Sequence, residues 1–587
     1  MDEDSIYIDN ANDLLAAVQQ LQAQPQQKLR TIDTETTGSR PYVERLKVVQ
    51  IGVAGLPVFV IQIERIPTEA WTPLREYLAE DRPNVMQNGK FDLKMLVAEN
   101  LPLRGPVRDT MLRSRLLHLG NRNDRHSLKE LALRWCNLPL DKTEQKSFLH
   151  DDSRRPLSRG QRVYAANDIT TTTAVEAALS PQLADRPGRR PGVQRQVDRE
   201  ERFLPVLAQL ENRGVRVNQD AVAALDAAIR ARLEAIEAAL RPALQPNLQQ
   251  LKLPPRRPAP FKPRNLPEDQ IKDLLQIENC DTKSLLRICH QRPQAKLVLE
   301  HATLWRQLDA CQELLQKQNP KTGRAHPDYN QVENVQGTLG ASKLKLELLA
   351  RLAQCWRPET PRLLQPADGY ALLQVSFPSL DACLLAHYSQ DPQLLADLER
   401  GQSPTARIAT AIRKSGENPY ADAVLANALW QGAGVLHQKG THLQSWLFSE
   451  FGLILSLQQV KALQPLIPNR YPTLAAFQDK IMDRHYEERA TILGSLKLWH
   501  QSSAKDLRKF LVWTSIDEIL KACVCELEPW CGQSGSRTVF IDEQSLWLEV
   551  PAAKAADHSD AVLEVLVAAL GRLCPQIAIE LHILNAP

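Results

Sequence analysis

The chain is poor in aromatic residues, which make up 5% of its 587 positions. A long platform of stacked bases is therefore excluded as its main binding device. Long apolar runs are missing too: none approaches the roughly 20 residues that a membrane-spanning helix needs. The start, MDEDSIYIDN, is acidic and lacks the basic and apolar regions of a secretory leader, so a cytoplasmic protein without a membrane partner is expected. The ten cysteines are scattered, with no CxxC pair. Their one cluster, Cys523, Cys525 and Cys531, fits no standard zinc spacing and reads as reduced, partly buried thiols. No sign of charge dominates either. Lys and Arg number 72 against 69 Asp and Glu, a net charge of +3, so any nucleic-acid surface must be local. What the chain does have is length for two to four domains and 43% hydrophobic residues to build their cores.

Strand-like and helical patterns mix over the first part. IYIDNANDLLAAVQQLQ reads as a short strand, an Asn/Asp cap and an amphipathic helix. LRTIDTETTG, LKVVQIGVAG and PVFVIQI read as strands punctuated by Gly and Pro. TEAWTPLREYLAE reads as a helix, and NVMQNGKFDLKMLVAEN as strand, turn and helix. DTMLRSRLLHL, SLKELALRWC and SRGQRVYAANDITTTTAVEAAL are helical patterns. That order predicts an α/β domain over residues 1–185. An Arg-, Pro- and Gly-rich stretch predicts a linker over 186–200 leading into a helix. Long helical segments dominate 201–587, without internal repeats, and LKLPPRRPAPFKPRNLP reads as a basic, solvated loop.

The stretch RTIDTETTG carries the first chemical signal. Residues i and i+2 of a strand share a face, so Asp33 and Glu35 project together. Two carboxylates this close resist ionisation unless cations neutralise them, and hard divalent ions take carboxylate oxygens. Asp92, in QNGKFD, falls near the start of a predicted helix. Asp168, in YAANDITTT, shares a helix face with Tyr164 four residues earlier. Singly, each acid reads as a surface carboxylate or a cap. Converging on one end of a sheet, they suit a two-ion site that clamps a phosphodiester and activates water.

The ordered set DTET, NGKFD and YAAND resembles the 3′–5′ exonuclease domain of family A DNA polymerases, in the DnaQ-like subclass named for four acids and a tyrosine. RDTMLRSRLL and HSLKELALRW match further positions of that family. The resemblance implies a ribonuclease H-like α/β fold, a mixed sheet flanked by helices. It implies that Asp33, Glu35, Asp92 and Asp168 hold two Mg²⁺ or Mn²⁺ ions, that Tyr164 orients the attacking water, and that Asn88 lies near the terminal nucleotide. The implied reaction releases nucleoside 5′-monophosphates from single-stranded or frayed DNA 3′ ends, in replication or repair, at the nucleoid.

Residues 201–587 resemble, more faintly, the polymerase domain of the same family, a mainly helical α+β arrangement of palm, fingers and thumb. FLPVLAQLENRGVRVNQDAVAAL, KTGRAHPDYNQ, DACLLAHYSQDPQLLADLERGQ and LWLEVP follow its order. The catalytic positions depart from it. Ser376 stands where the family has a metal-binding aspartate, and Asp381 where it has a glutamate. Thr338 replaces an arginine and Val424 a lysine that grips the triphosphate. The acids of the last motif correspond either to Glu543-Gln544-Ser545 or, with a two-residue insertion, to Asp542-Glu543. A serine brings no full charge to a metal, and losing the cations removes the clamp on transferring phosphates. The expectation is a 3′–5′ DNA exonuclease whose polymerase-like half binds DNA without synthesising it, using basic residues of LWRQLDACQELLQKQNPKTGRAH and ARIATAIRKSG. A separate DNA polymerase is a candidate partner, and no 5′-nuclease domain precedes the exonuclease-like segment in this sequence. The alternatives are an active proofreading polymerase, an RNA exonuclease resembling ribonuclease D, and a non-catalytic DNA-binding scaffold.

Overall fold

The structure, a computed structural model, describes residues 5–119, 125–149, 154–184, 193–242, 266, 268–316, 318–332, 337–343, 363–414, 420–483, 491–495 and 508–586. The first region runs β1 (Ser5–Ile8), α1 (Ala11–Gln22), β2 (Arg30–Thr36), β3 (Leu46–Val53), β4 (Val58–Ile61), α2 (Thr72–Leu78), β5 (Asn84–Met86), α3 (Gly89–Ala98), β6 (Val107–Asp109), α4 (Thr110–Leu117), α5 (Leu128–Cys136) and α6 (Arg159–Leu183). Its six strands form one mixed sheet in the order β1-β4-β3-β2-β5-β6. β2 is antiparallel to β3 and parallel to β5.

Period-two alternation explains the layers. Ile32, Val49, Ile51, Phe59 and Ile61 pack on one face with residues of α1, α2 and α3. Val48, Val58 and Val60 face the other way, onto Tyr164, Ala165 and Ile169 of α6. The helices begin where polar side chains satisfy their free N–H groups. Asn10 caps α1, Asp109 caps α4, Ser127 caps α5, and Ser158 with Gln161 forms a capping box on α6. α6 lies so close to β3 that a Cβ on Gly52 would stand 2.4 Å from Cγ2 of Ile169. Only glycine permits that approach, and it sets the depth at which Asp168 reaches the sheet end. Arg30, fully buried, pins the start of β2. Its guanidinium donates to Asn84 Oδ1 and to the carbonyls of Tyr77, Leu78, Glu80 and Arg104.

The segment predicted as a linker over 186–200 is helical from Val193: α7 (Val193–Arg213) opens inside it. Its repeated apolar spacing, Val193, Val197, Leu204, Leu207, outweighs the breaker signal read from the preceding Pro and Gly. The remainder is mainly helical. It carries a four-stranded antiparallel sheet in the order Arg537–Ile541, Ser545–Pro551, Tyr370–Ser376, His582–Ala586. Of the basic loop expected over 251–267, Leu266 alone lies among the described residues. The nine described cysteines are free thiols, and burial pushes the Cys525 and Cys531 thiols up to about 12. Among the described residues no helix is long and apolar enough to cross a membrane.

Candidate active site

β2 ends in RTIDTET, and its ladder with β3 shifts register between Glu35 and Thr36. Such a bulge re-aims side chains at a strand end. Asp33, Glu35 and Asp168 each turn a carboxylate oxygen to one point, all within 4.8 Å of one another. Glu35 and Asp168 are buried, and Asp33 is half-buried. Burial, with the neighbouring Asp168 charge, pushes the Asp33 carboxyl up to about 7. Burial, then Asp33 and Asp168, raises Glu35 well above the carboxylate range. Asp92, 2% exposed, reaches the same strand end from α3 and accepts a hydrogen bond of 2.6 Å from Thr34 Oγ1. Burial and then Asp33 raise its carboxyl as well.

Tyr164 and Asp168 lie on the buried face of α6. Lys142, in the loop before Thr143–Ser147, donates to Asp168 Oδ2 at 2.6 Å and to Tyr164 Oη at 3.2 Å. Asp168 Oδ1 is buried with no hydrogen-bond partner. Three converging carboxylates, raised pKa values and an orphaned carboxylate oxygen are the marks of a site for hard divalent cations, and the donor set fits that group. Tyr164 titrates far above its usual range, chiefly through burial and then Glu35 and Asp168, so its hydroxyl keeps its proton.

Asn88 sits at the mouth with φ 59°, a left-handed conformation that asparagine tolerates better than most residues. Asp109 holds that turn by accepting from Asn88 N at 3.3 Å and Gly89 N at 2.6 Å while capping α4. All six residues singled out in the sequence, Asp33, Glu35, Asn88, Asp92, Tyr164 and Asp168, line one cleft of about 1240 Å³.

Sequence reasoning missed three parts of that cleft. Lys142 is one, and the LDK run that carries it offers no periodic signal. Asp109 is another, hidden in a match read only as helix. The third is a wall contributed by the second half of the chain: Tyr329, Asn330, Gln331 and Val332 line the same cleft. That wall is fastened from several sides. Buried Glu211 accepts from Tyr329 N, Lys90 and Lys94. Gln331 donates to Glu200, and Lys521 bridges Glu200 and the Gln331 carbonyl. The Tyr329 hydroxyl donates to the carbonyl of Ile541 at 2.8 Å, tying the wall to the second sheet.

A second cavity, about 1290 Å³, opens at that sheet. Ser376 ends its central strand opposite Ser545, and the turn Asp542-Glu543-Gln544 stands beside it. Both alternatives for the last motif, Asp542-Glu543 and Glu543-Gln544-Ser545, fall at this hairpin turn. Asp542 accepts from Ser545 Oγ, Gln544 N and Trp547 Nε1. Asp381, 2% exposed, accepts from Trp430 Nε1, Gln431 Nε2 and Ala382 N. Thr338 and Val424 do not line the cavity. Several arginines expected to grip DNA are committed elsewhere: Arg306 to the Ser449 carbonyl, Arg324 to Glu549, Arg407 to Asp397 and Arg413 to Asp422.

Residues 6–184 match the family model described as 3′–5′ exonuclease, in its DNA polymerase A form. The chain is 26% identical over 323 residues to the DNA polymerase I of Synechocystis, covering 53% of this chain and 31% of that protein. It is 24% identical over 522 residues to the DNA polymerase I of Aquifex aeolicus, covering 85% and 83%. It therefore spans about a third of the first relative and most of the second. A solved structure titled as the POL domain of Pol1 from M. smegmatis, in complex with DNA primer-template and dNTP, superposes with a TM-score of 0.73 at 15% identity over 99% of this chain and 98% of that one. Residues 6–184 thus resemble a 3′–5′ exonuclease domain of the family A DNA polymerase type, and the chain shares the fold of the solved Pol1 POL domain.

Proposed function

We propose that this chain is a metal-dependent 3′–5′ DNA exonuclease whose polymerase-fold half binds DNA but no longer synthesises it. The convergence of Asp33, Glu35 and Asp168 within 4.8 Å carries the first part. These three residues, with Asp92, would hold two Mg²⁺ or Mn²⁺ ions. Bound there, such ions supply a water of lowered pKa and neutralise the scissile phosphate. The chain's own groups do the rest. The protonated Tyr164 hydroxyl, held beside Asp168, orients the attacking water. Asn88, exposed at the cleft mouth, meets the terminal nucleotide. The wall at Tyr329–Val332 confines the 3′ strand, and the product is a nucleoside 5′-monophosphate.

Loss of synthesis is supported by chemistry at the second cavity. Ser376 brings no carboxylate. Both oxygens of Asp381 and of Asp542 already accept hydrogen bonds from protein donors, with which a metal ion would have to compete. Among the described residues that line the cavity, Lys509 is the one Lys or Arg, against the acids Asp381, Glu399, Glu450, Asp542, Glu543 and Glu580. Those described residues offer a triphosphate no cluster of cations to clamp it.

The test uses a 5′-labelled primer–template with Mg²⁺ and all four dNTPs. Wild type is compared with Asp33→Ala/Glu35→Ala and Asp168→Ala. Shortening by wild type alone, with no extension by any protein, is the expected result. Extension by the mutants would make the chain a proofreading polymerase. Faster shortening of a matched RNA strand would make it an RNA exonuclease, and no shortening of either would leave a binding scaffold.

A further inference from the structure

We infer that Lys142 is a tethered counter-ion that competes with the divalent cation for Asp168, and so sets the metal concentration at which the nuclease turns on. The inference rests on the reading that Asp33, Glu35 and Asp168 take divalent cations. Its own observation is the placement of the ammonium. Lys142 Nζ lies 2.6 Å from Asp168 Oδ2 and 3.2 Å from Tyr164 Oη, and 5.1 Å above the Tyr164 ring centroid. It thus occupies one oxygen of a carboxylate whose partner atom, Oδ1, is buried and unused. The side chain of Asp168 is 5% exposed, whereas that of Lys142 is 25% exposed. The lysine comes from an irregular segment between α5 and Thr143–Ser147, not from the helix that carries Asp168.

This asymmetry makes an exchange physically simple. Three carboxylates crowded together and largely out of water repel one another. Without a metal ion, one of them needs a positive charge, and the ammonium provides it. The lysine reaches in from the surface on a flexible four-carbon stem with rotatable donors, so it leaves by side-chain rotation without disturbing α6. A divalent ion brings twice the charge, and an ion taken up by Oδ1 would stand across one carboxylate from the ammonium on Oδ2, where the two positive charges repel one another. Occupancy by the ammonium therefore lowers the apparent affinity for the metal, as any competing bound state must. Lys142 is here a positioning residue that acts through Asp168.

The measurement is Mn²⁺ binding to the full-length, chelator-stripped protein by isothermal titration, without DNA, for wild type, Lys142→Gln and Lys142→Arg. Lys142→Gln removes the charge and leaves a somewhat shorter polar side chain. The expected result is a Kd lower by about tenfold for Lys142→Gln, the scale of one lost charge contact at a part-buried site. Lys142→Arg should stay near wild type. The Mn²⁺ concentration for half-maximal cleavage should fall in parallel for Lys142→Gln. Equal affinity for wild type and Lys142→Gln overturns the inference while leaving the metal site standing. Weaker binding by Lys142→Gln overturns it too, by making the lysine a structural support. Absence of Mn²⁺ binding in all three proteins overturns the metal-site reading and the inference with it.

Discussion

Two cavities of nearly the same size, about 1240 and 1290 Å³, stand at the ends of two sheets in this molecule. Each is lined by six acids. In the first, Asp33, Glu35, Glu44, Asp92, Asp109 and Asp168 are answered by six cations, Arg40, Lys90, Arg115, Lys129, Lys142 and Lys146. In the second, among the described residues, six acids face Lys509 with two histidines. The first arrangement can draw a phosphate chain toward clustered carboxylates; the described lining of the second gives a triphosphate little attraction. The carboxylates differ as well. Asp168 keeps a buried oxygen without a partner, while both oxygens of Asp381 and of Asp542 accept hydrogen bonds from their own fold. A metal-ready acid and a structural acid are therefore distinguished by what they lack, not by identity or burial.

The contrast breaks most decisively at the acids. Asp33→Ala/Glu35→Ala should lower 3′ shortening by about 10³-fold or more. Adding Ser376→Asp to that protein should still yield no dNTP incorporation on a primer–template. Incorporation would mean that a single carboxylate separates the two cavities. A smaller effect follows from packing. Gly52→Ala must push α6 off β3, which should cost about 1–3 kcal/mol in denaturant unfolding and reduce cleavage while Asp33 and Glu35 stay in place. Smaller again is the charge test. Lys129→Glu and Lys146→Glu, both at exposed positions, should weaken binding of a single-stranded oligonucleotide and flatten its salt dependence by about 0.7 per lost phosphate contact. Lys509→Glu should change neither.

The mildest effect is on stability against pH. The Asp33 carboxyl moves from 3.8 to about 7 on folding. A raised value means the folded chain holds more protons than the unfolded one between those limits. The associated stability is complete below about pH 4 and is lost as pH rises through 7. In chelator, the Tm of wild type should therefore fall relative to Asp33→Asn over that range, and added Mn²⁺ should remove the difference. A flat difference would place Asp33 outside the charge cluster.

Much of the first cavity was legible in the chain. Asp33 and Glu35 share a face because a strand has period two. Tyr164 and Asp168 share one because a helix brings residues four apart together. The cap of α1 follows from Asn10. The start of α7 did not, since Pro and Gly before it masked an apolar repeat. Lys142, Asp109 and the Tyr329–Val332 wall were silent because their partners lie far off in sequence. Lys142 meets Asp168 across 26 positions, and Lys90 meets Tyr329 across 239.

The sequence by itself determined the order of elements, the four acids with their tyrosine, and the missing carboxylate at Ser376. Those are local facts, fixed by residue type and period. Tertiary structure alone decided which acids stay unsatisfied, which cation answers them, and that the second half of the chain completes the first half's cleft. These depend on distances between segments that only the closed fold brings together, and on burial, which strengthens a charge interaction only after water has left.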